Sequence, residues 1–95
     1  EERSRMENIL AFKEVYANAM GAVTRCLERF FPAMSAEDIW EFLYAFFPFL
    51  FGVYPYAVPT KKQREAMELA QVDYARYSIY ELTRSFTRKL LKAFQ

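Results

Sequence analysis

Histidine is absent from the 95 residues, and that absence removes more chemistry than any other feature of the composition. Ser-His-Asp and Cys-His nucleophilic sites have no base without it. Glu-x-x-His di-metal bundles cannot be assembled either. Cysteine occurs once, at Cys26. A single thiol can form no internal disulfide and cannot build a zinc site of the usual kind. Two glycines, Gly21 and Gly52, are too few for a phosphate-cradling loop, and neither G-x-G-x-x-G nor a P-loop occurs. Excess charge is lacking as well: 13 basic and 12 acidic residues leave a net +1, and 54% of the chain is hydrophobic, so the composition is not that of a disordered segment.

Aromatic residues are abundant instead, at 19% of the chain. The length allows one domain, residues 1–95. The first residues, Glu1 to Arg5, are charged and lead into no signal-type apolar core. With the free thiol, this places the chain in a reducing, cytoplasmic setting. The lack of an initiator Met reads as a fragment that begins inside a longer protein. Cys26, between Val23 and Phe30, is expected on a buried helix face as a small hydrophobe.

The periodicity predicts four helices and no strands. The first runs from about Ser4 to Phe31. Its apolar positions Met6, Ile9, Phe12, Tyr16, Ala19, Met20, Val23, Leu27 and Phe30 step mostly by three and four. Gly21 inside it is either a close helix contact or a tolerated cost, and Pro32 should end it. The second opens at Ser35, whose hydroxyl stands three residues before Asp38, close to a capping box. Glu37, Asp38 and Glu41 suit the positive end of the helix dipole. Nineteen uncharged residues follow, Phe42 to Thr60, and nine of the 18 aromatics lie between Trp40 and Tyr56. Pro48, Gly52, Pro55 and Pro59 punctuate this run and argue against a membrane span. The better reading is a central helix, apolar all round because other helices surround it, kinked at Pro48 and ending near Gly52 and Pro55.

The third helix is expected from Thr60, which fits a capping box with Gln63, to about Tyr74, and the fourth from about Ser78, where Ser78-Ile79-Tyr80-Glu81 is another cap-like start, to Phe94. In the fourth, Ile79, Leu82, Phe86, Leu90 and Ala93 form one apolar line and Thr83, Thr87, Leu91 and Phe94 a weaker second one. Two lines allow one to pack within the domain and the other on a partner; a single broad core-facing stripe is the other reading. Residues 1–48 hold eight acids against five bases, and residues 49–95 four against eight. At a pI near 8.1 the bases of the last helix, Arg84, Arg88, Lys89 and Lys92, read as its solvated face and not as a DNA footprint.

No catalytic, metal or cofactor site emerges. Glu37, Asp38 and Glu41 are explained by the helix start, and the chain is read as no enzyme. Phe12, Tyr16, Met20, Trp40, Tyr44, Phe47, Leu50 and Tyr54 are the candidates for an apolar ligand pocket, with tyrosine hydroxyls as its polar tips. Plain core packing would use the same residues.

Three stretches carry a likeness to a known family. They are Phe-Phe-Pro-Ala-Met-Ser-Ala-Glu-Asp-Ile-Trp-Glu-Phe-Leu at 30–43, Phe-Leu-Phe-Gly-Val-Tyr-Pro at 49–55, and Tyr-Glu-Leu-Thr-Arg-Ser-Phe-Thr-Arg-Lys-Leu-Leu-Lys-Ala-Phe at 80–94. From Ala11 to Phe94 the chain resembles the C-terminal, ligand-sensing domain of TetR-type transcriptional regulators. The resemblance implies an all-α, antiparallel bundle of about four helices that forms a homodimer through the last two. Met67, Ala70, Tyr74, Ile79, Leu82 and Phe86 would then supply the dimer contact. It also implies a small effector, and operator DNA bound only through an N-terminal part that this chain lacks. The uncharged run from Phe42 to Thr60 and the absence of His make that effector apolar or aromatic, the composition suggests no cofactor, and the punctuated run suggests no membrane partner. A helical protein-interaction domain without an effector is the alternative.

Overall fold

The computed structural model describes residues 1–73 and 77–95. Among them are four α-helices and no strand: α1 (Glu2–Phe30), α2 (Ala36–Ala57), α3 (Lys61–Leu69) and α4 (Ile79–Lys92). The chain forms two compact units, Glu1–Leu43 and Tyr44–Gln95, with the boundary inside α2.

In the first unit, α1 is 29 residues long, about 43 Å at 1.5 Å per residue. The part of α2 belonging to this unit, Ala36–Leu43, extends only about 12 Å on the same measure. It can cover only part of α1. The apolar stripe is therefore used unevenly: Leu27 is buried and Tyr16, Met20 and Val23 are half-buried, whereas Met6, Ile9 and Phe12 are exposed. Ile39, Phe42 and Leu43 complete the core residues of this unit. Cys26 is exposed, contrary to the expectation of a buried thiol. It stands one residue, or 100° of helix, from Leu27, and its neighbours one turn away, Ala22, Arg29 and Phe30, are exposed too. Gly21 marks no close helix contact. A Cβ there would meet only Nη1 of Arg25, at 3.2 Å.

The turn before α2 follows from its residue types. Pro32 disfavours helical geometry at Phe31, which adopts φ −134°, ψ 61° while its N–H still donates to the Leu27 carbonyl at 2.8 Å. Ser35 and Asp38 then form a reciprocal cap. The Asp38 N–H donates to Ser35 Oγ at 3.0 Å and the Ser35 N–H to Asp38 Oδ2 at 2.9 Å.

The second unit holds the rest of α2 with α3 and α4. α2 runs unbroken through Pro48 and Pro55 to Ala57, beyond the end expected near Gly52 and Pro55. Both prolines are exposed. Each removes one donor, to the carbonyls of Tyr44 and Phe51, and an exposed position lets water satisfy those carbonyls. Phe47 and Val53 are buried. α2 is not apolar because it is surrounded: Tyr44, at 74% exposure, Phe51 and Tyr54 all face water. The ring of Phe49 stacks on Phe86 of α4, with centroids 4.1 Å apart and planes 5° from parallel.

α3 and α4 both begin with complete capping boxes, Thr60 with Gln63 and Ser78 with Glu81. α3 ends at Leu69, short of the expected Tyr74, which lies outside the described residues. The stop is a Schellman arrangement. The Gln71 N–H donates to the Glu68 carbonyl at 3.1 Å and the Val72 N–H to that of Met67 at 2.8 Å. Gln71 takes the left-handed position at φ 57°, where glycine is usual. Along α4, Ile79, Leu82, Phe86 and Leu90 are half-buried, and so are Thr83, Thr87, Leu91 and Phe94 of the second line; Ala93 is exposed.

Candidate ligand recess and helix surfaces

The first unit contains an open recess of about 210 Å³ between the later turns of α1 and the first turns of α2. Met20, Thr24 and Glu28 form one i, i+4 row on its α1 side. Ile39, Trp40 and Leu43 form the α2 side. The local sequence explains the shape. Gly21 withholds a side chain where the recess is lined, and the Ser35–Asp38 cap fixes where α2 starts. The Thr24 hydroxyl donates to the Met20 carbonyl at 2.8 Å, so its polar group is satisfied within α1. The result is a mostly apolar surface with an indole on one wall and one carboxylate, Glu28.

Of the eight pocket candidates, Met20 and Trp40 line this recess. Phe12 and Tyr16 lie earlier on α1, where the Lys13 ammonium stands 5.9 and 5.8 Å from their ring centroids. Such contacts are within cation–π range. Tyr44, Phe47, Leu50 and Tyr54 belong to the second unit: Phe47 is core, Leu50 is half-buried, and the two tyrosines are exposed. Glu28, Thr24, Ile39 and Leu43 were not anticipated. The i, i+4 spacing of Met20, Thr24 and Glu28 was the available signal.

The dimer candidates among the described residues all fall in the second unit. Met67 is half-buried on α3, and Ala70, the residue that caps its end, is exposed. Ile79, Leu82 and Phe86 are half-buried on α4, and Tyr74 lies outside the described residues. No single helix among the described residues is long and apolar enough to cross a membrane; α2 and α3 together would have the length, but they bend by 75° at their break.

The family model described as tetracyclin repressor-like, C-terminal domain matches residues 1–92. The chain belongs to this family. Comparison with curated proteins and with solved structures finds no match. Membership makes the chain a domain of a TetR-type regulator, from a family that is generally non-enzymatic.

Proposed function

We infer that this chain is the effector-sensing and homodimerisation domain of a TetR-type transcriptional regulator. Residues 1–95 act as one functional domain in the cytoplasm, and operator DNA is contacted through an N-terminal part outside this chain. The observation that carries the sensing role is the recess around Trp40. It is smaller than the roughly 300–1,000 Å³ common for drug-sized ligands, so it takes a compact effector or one end of a larger one. Its apolar walls favour a low-charge, aromatic or aliphatic compound. Glu28 disfavours an anion, because a carboxylate ligand would meet a like charge and lose hydration.

Dimerisation is supported by α4, which has no fully buried residue and whose apolar residues Ile79, Leu82 and Phe86 are only half-buried. Ile79, Leu82 and Phe86, with Met67 and Ala70, form the α3–α4 surface that meets the partner. Phe86 also stacks on Phe49, so one edge of it serves the fold and the remainder the interface.

Trp40 supplies the assay for sensing. A thermal-shift screen of neutral aromatic compounds against small carboxylates and phosphates, followed by titration of Trp40 emission, should find neutral compounds that both stabilise the chain and perturb the emission saturably. Gly21→Leu fills the recess and should abolish that response with the helical circular-dichroism spectrum retained. Perturbation of Trp40 by carboxylates alone, or an unchanged response in Gly21→Leu, would contradict the assignment.

A further inference from the structure

The second unit carries a separate groove of about 670 Å³ along α4, lined by Tyr77, Tyr80, Arg84, Arg88, Lys89 and Lys92. Tyr80, Arg84, Arg88 and Lys92 recur every four residues and form one row on the helix surface. Glu81 and Ser85 complete the polar lining, and Leu82 stands at its edge; Ile79 and Phe86 of the proposed partner-facing line lie on the opposite side of α4 from Arg84 and Arg88, at 100° per residue. None of the four cations makes an ion pair with a described residue. The single carboxylate is already engaged: Glu81 Oε1 accepts the Ser78 N–H at 3.1 Å.

This arrangement is unfavourable for a helix alone. Arg84 with Arg88, and Arg88 with Lys92, are like charges one turn apart, which destabilises a helix. Lys89 and Lys92 are compensated by the dipole at the C-terminal turn. Arg84 and Arg88 stand too far from that turn to benefit. An anion in the groove would remove the repulsion.

The order of groups along α4 specifies which anion. Two exposed tyrosines stand at one end with Glu81 next to them, and the cations run from Arg84 to Lys92 with Ser85 among them. We propose that the α4 groove binds a nucleoside polyphosphate, with the base against Tyr77 and Tyr80, the sugar hydroxyls near Glu81 and Ser85, and the phosphates on Arg84, Arg88, Lys89 and Lys92. Guanidinium groups match phosphate oxygens bidentately. A single-stranded nucleic acid would call for aromatics interleaved with the cations, whereas here the two kinds are segregated. The site is distinct from the recess at Trp40 and does not depend on it.

Calorimetric titration of the whole chain with ATP, adenosine, inorganic triphosphate and a short oligothymidylate tests the assignment. ATP should bind saturably and more weakly as salt rises, and more tightly than either adenosine or triphosphate. The Arg84→Ala/Arg88→Ala pair should weaken ATP about tenfold or more, the loss expected for charge-assisted hydrogen bonds. These changes remove like-charge repulsion at exposed positions, so helicity should hold by circular dichroism. Tyr80→Ala should weaken ATP while leaving inorganic triphosphate unaffected. The proposal is overturned if ATP does not bind, if triphosphate binds as tightly as ATP, if the oligonucleotide binds more tightly than ATP, or if the arginine pair changes nothing. Trp40 emission follows the other site, so failure here is separable from failure of the sensing role.

Discussion

Truncating the Phe49–Phe86 stack tests whether α4 is anchored to α2 as the structure has it. Both residues are half-buried, and their rings lie 4.1 Å apart and nearly parallel. Phe→Ala at a fully buried site costs about 3–5 kcal/mol. Half burial reduces this to about 1.5–2.5 kcal/mol of area and cavity loss for each residue. The ring pair itself adds about 0.5–1.5 kcal/mol. Phe49→Ala and Phe86→Ala should therefore each cost about 2–4 kcal/mol. At roughly 4–8 °C per kcal/mol for a domain of this length, each should lower Tm by about 8–32 °C. The double variant should cost less than the sum of the singles by the pair energy, since the second truncation has no stack left to break. Urea denaturation of all four proteins at one fixed concentration closes the cycle, because association would otherwise shift the apparent stability by mass action. Additivity within about 0.3 kcal/mol would refute the stack. The same contact makes Phe86→Glu a poor probe of dimerisation, because a carboxylate there would break an intrachain contact before it met any partner.

Further outcomes follow from single positions. Gln71→Gly should stabilise by about 0.5–1 kcal/mol, because it removes most of the left-handed backbone cost at φ 57° against some gain in unfolded-chain freedom, and urea midpoints read the change. Gly52→Ala should raise stability by a similar amount, since a Cβ there meets nothing within 4 Å and the residue lies inside α2; a loss would mean that the position is occupied. Thr83→Val should be neutral or stabilising by up to about 1 kcal/mol, because the buried Thr83 hydroxyl has no hydrogen-bond partner among the described residues. A clear loss of stability in Thr83→Val would show that the hydroxyl is satisfied in solution.

What could be read from the sequence was local. The three capping pairs, Ser35–Asp38, Thr60–Gln63 and Ser78–Glu81, need only a hydroxyl and an acceptor three residues apart, and all three form. The number and type of elements followed from apolar periodicity for the same reason. Boundaries set by backbone conformation were less legible. α3 stops because Gln71 adopts a left-handed conformation, and glutamine does not announce that as glycine does. α2 outlasts Pro55 because a proline near a helix end removes one bond that water can replace. Burial was the least legible quantity. Cys26 and Leu27 are adjacent and similarly apolar, yet only tertiary contacts decide which of the two faces inward. Trp40 and Met20 stand out as pocket residues by their aromatic and thioether chemistry, whereas nothing in the sequence marks Glu28, whose part in the recess depends on where α2 begins.

The proposed function requires this domain to work as a pair. Sedimentation equilibrium of the unaltered chain across the micromolar range measures that directly. A homodimer of twice 11.3 kDa at low micromolar concentration is the predicted result. A species that remains at the monomer mass throughout that range would contradict it.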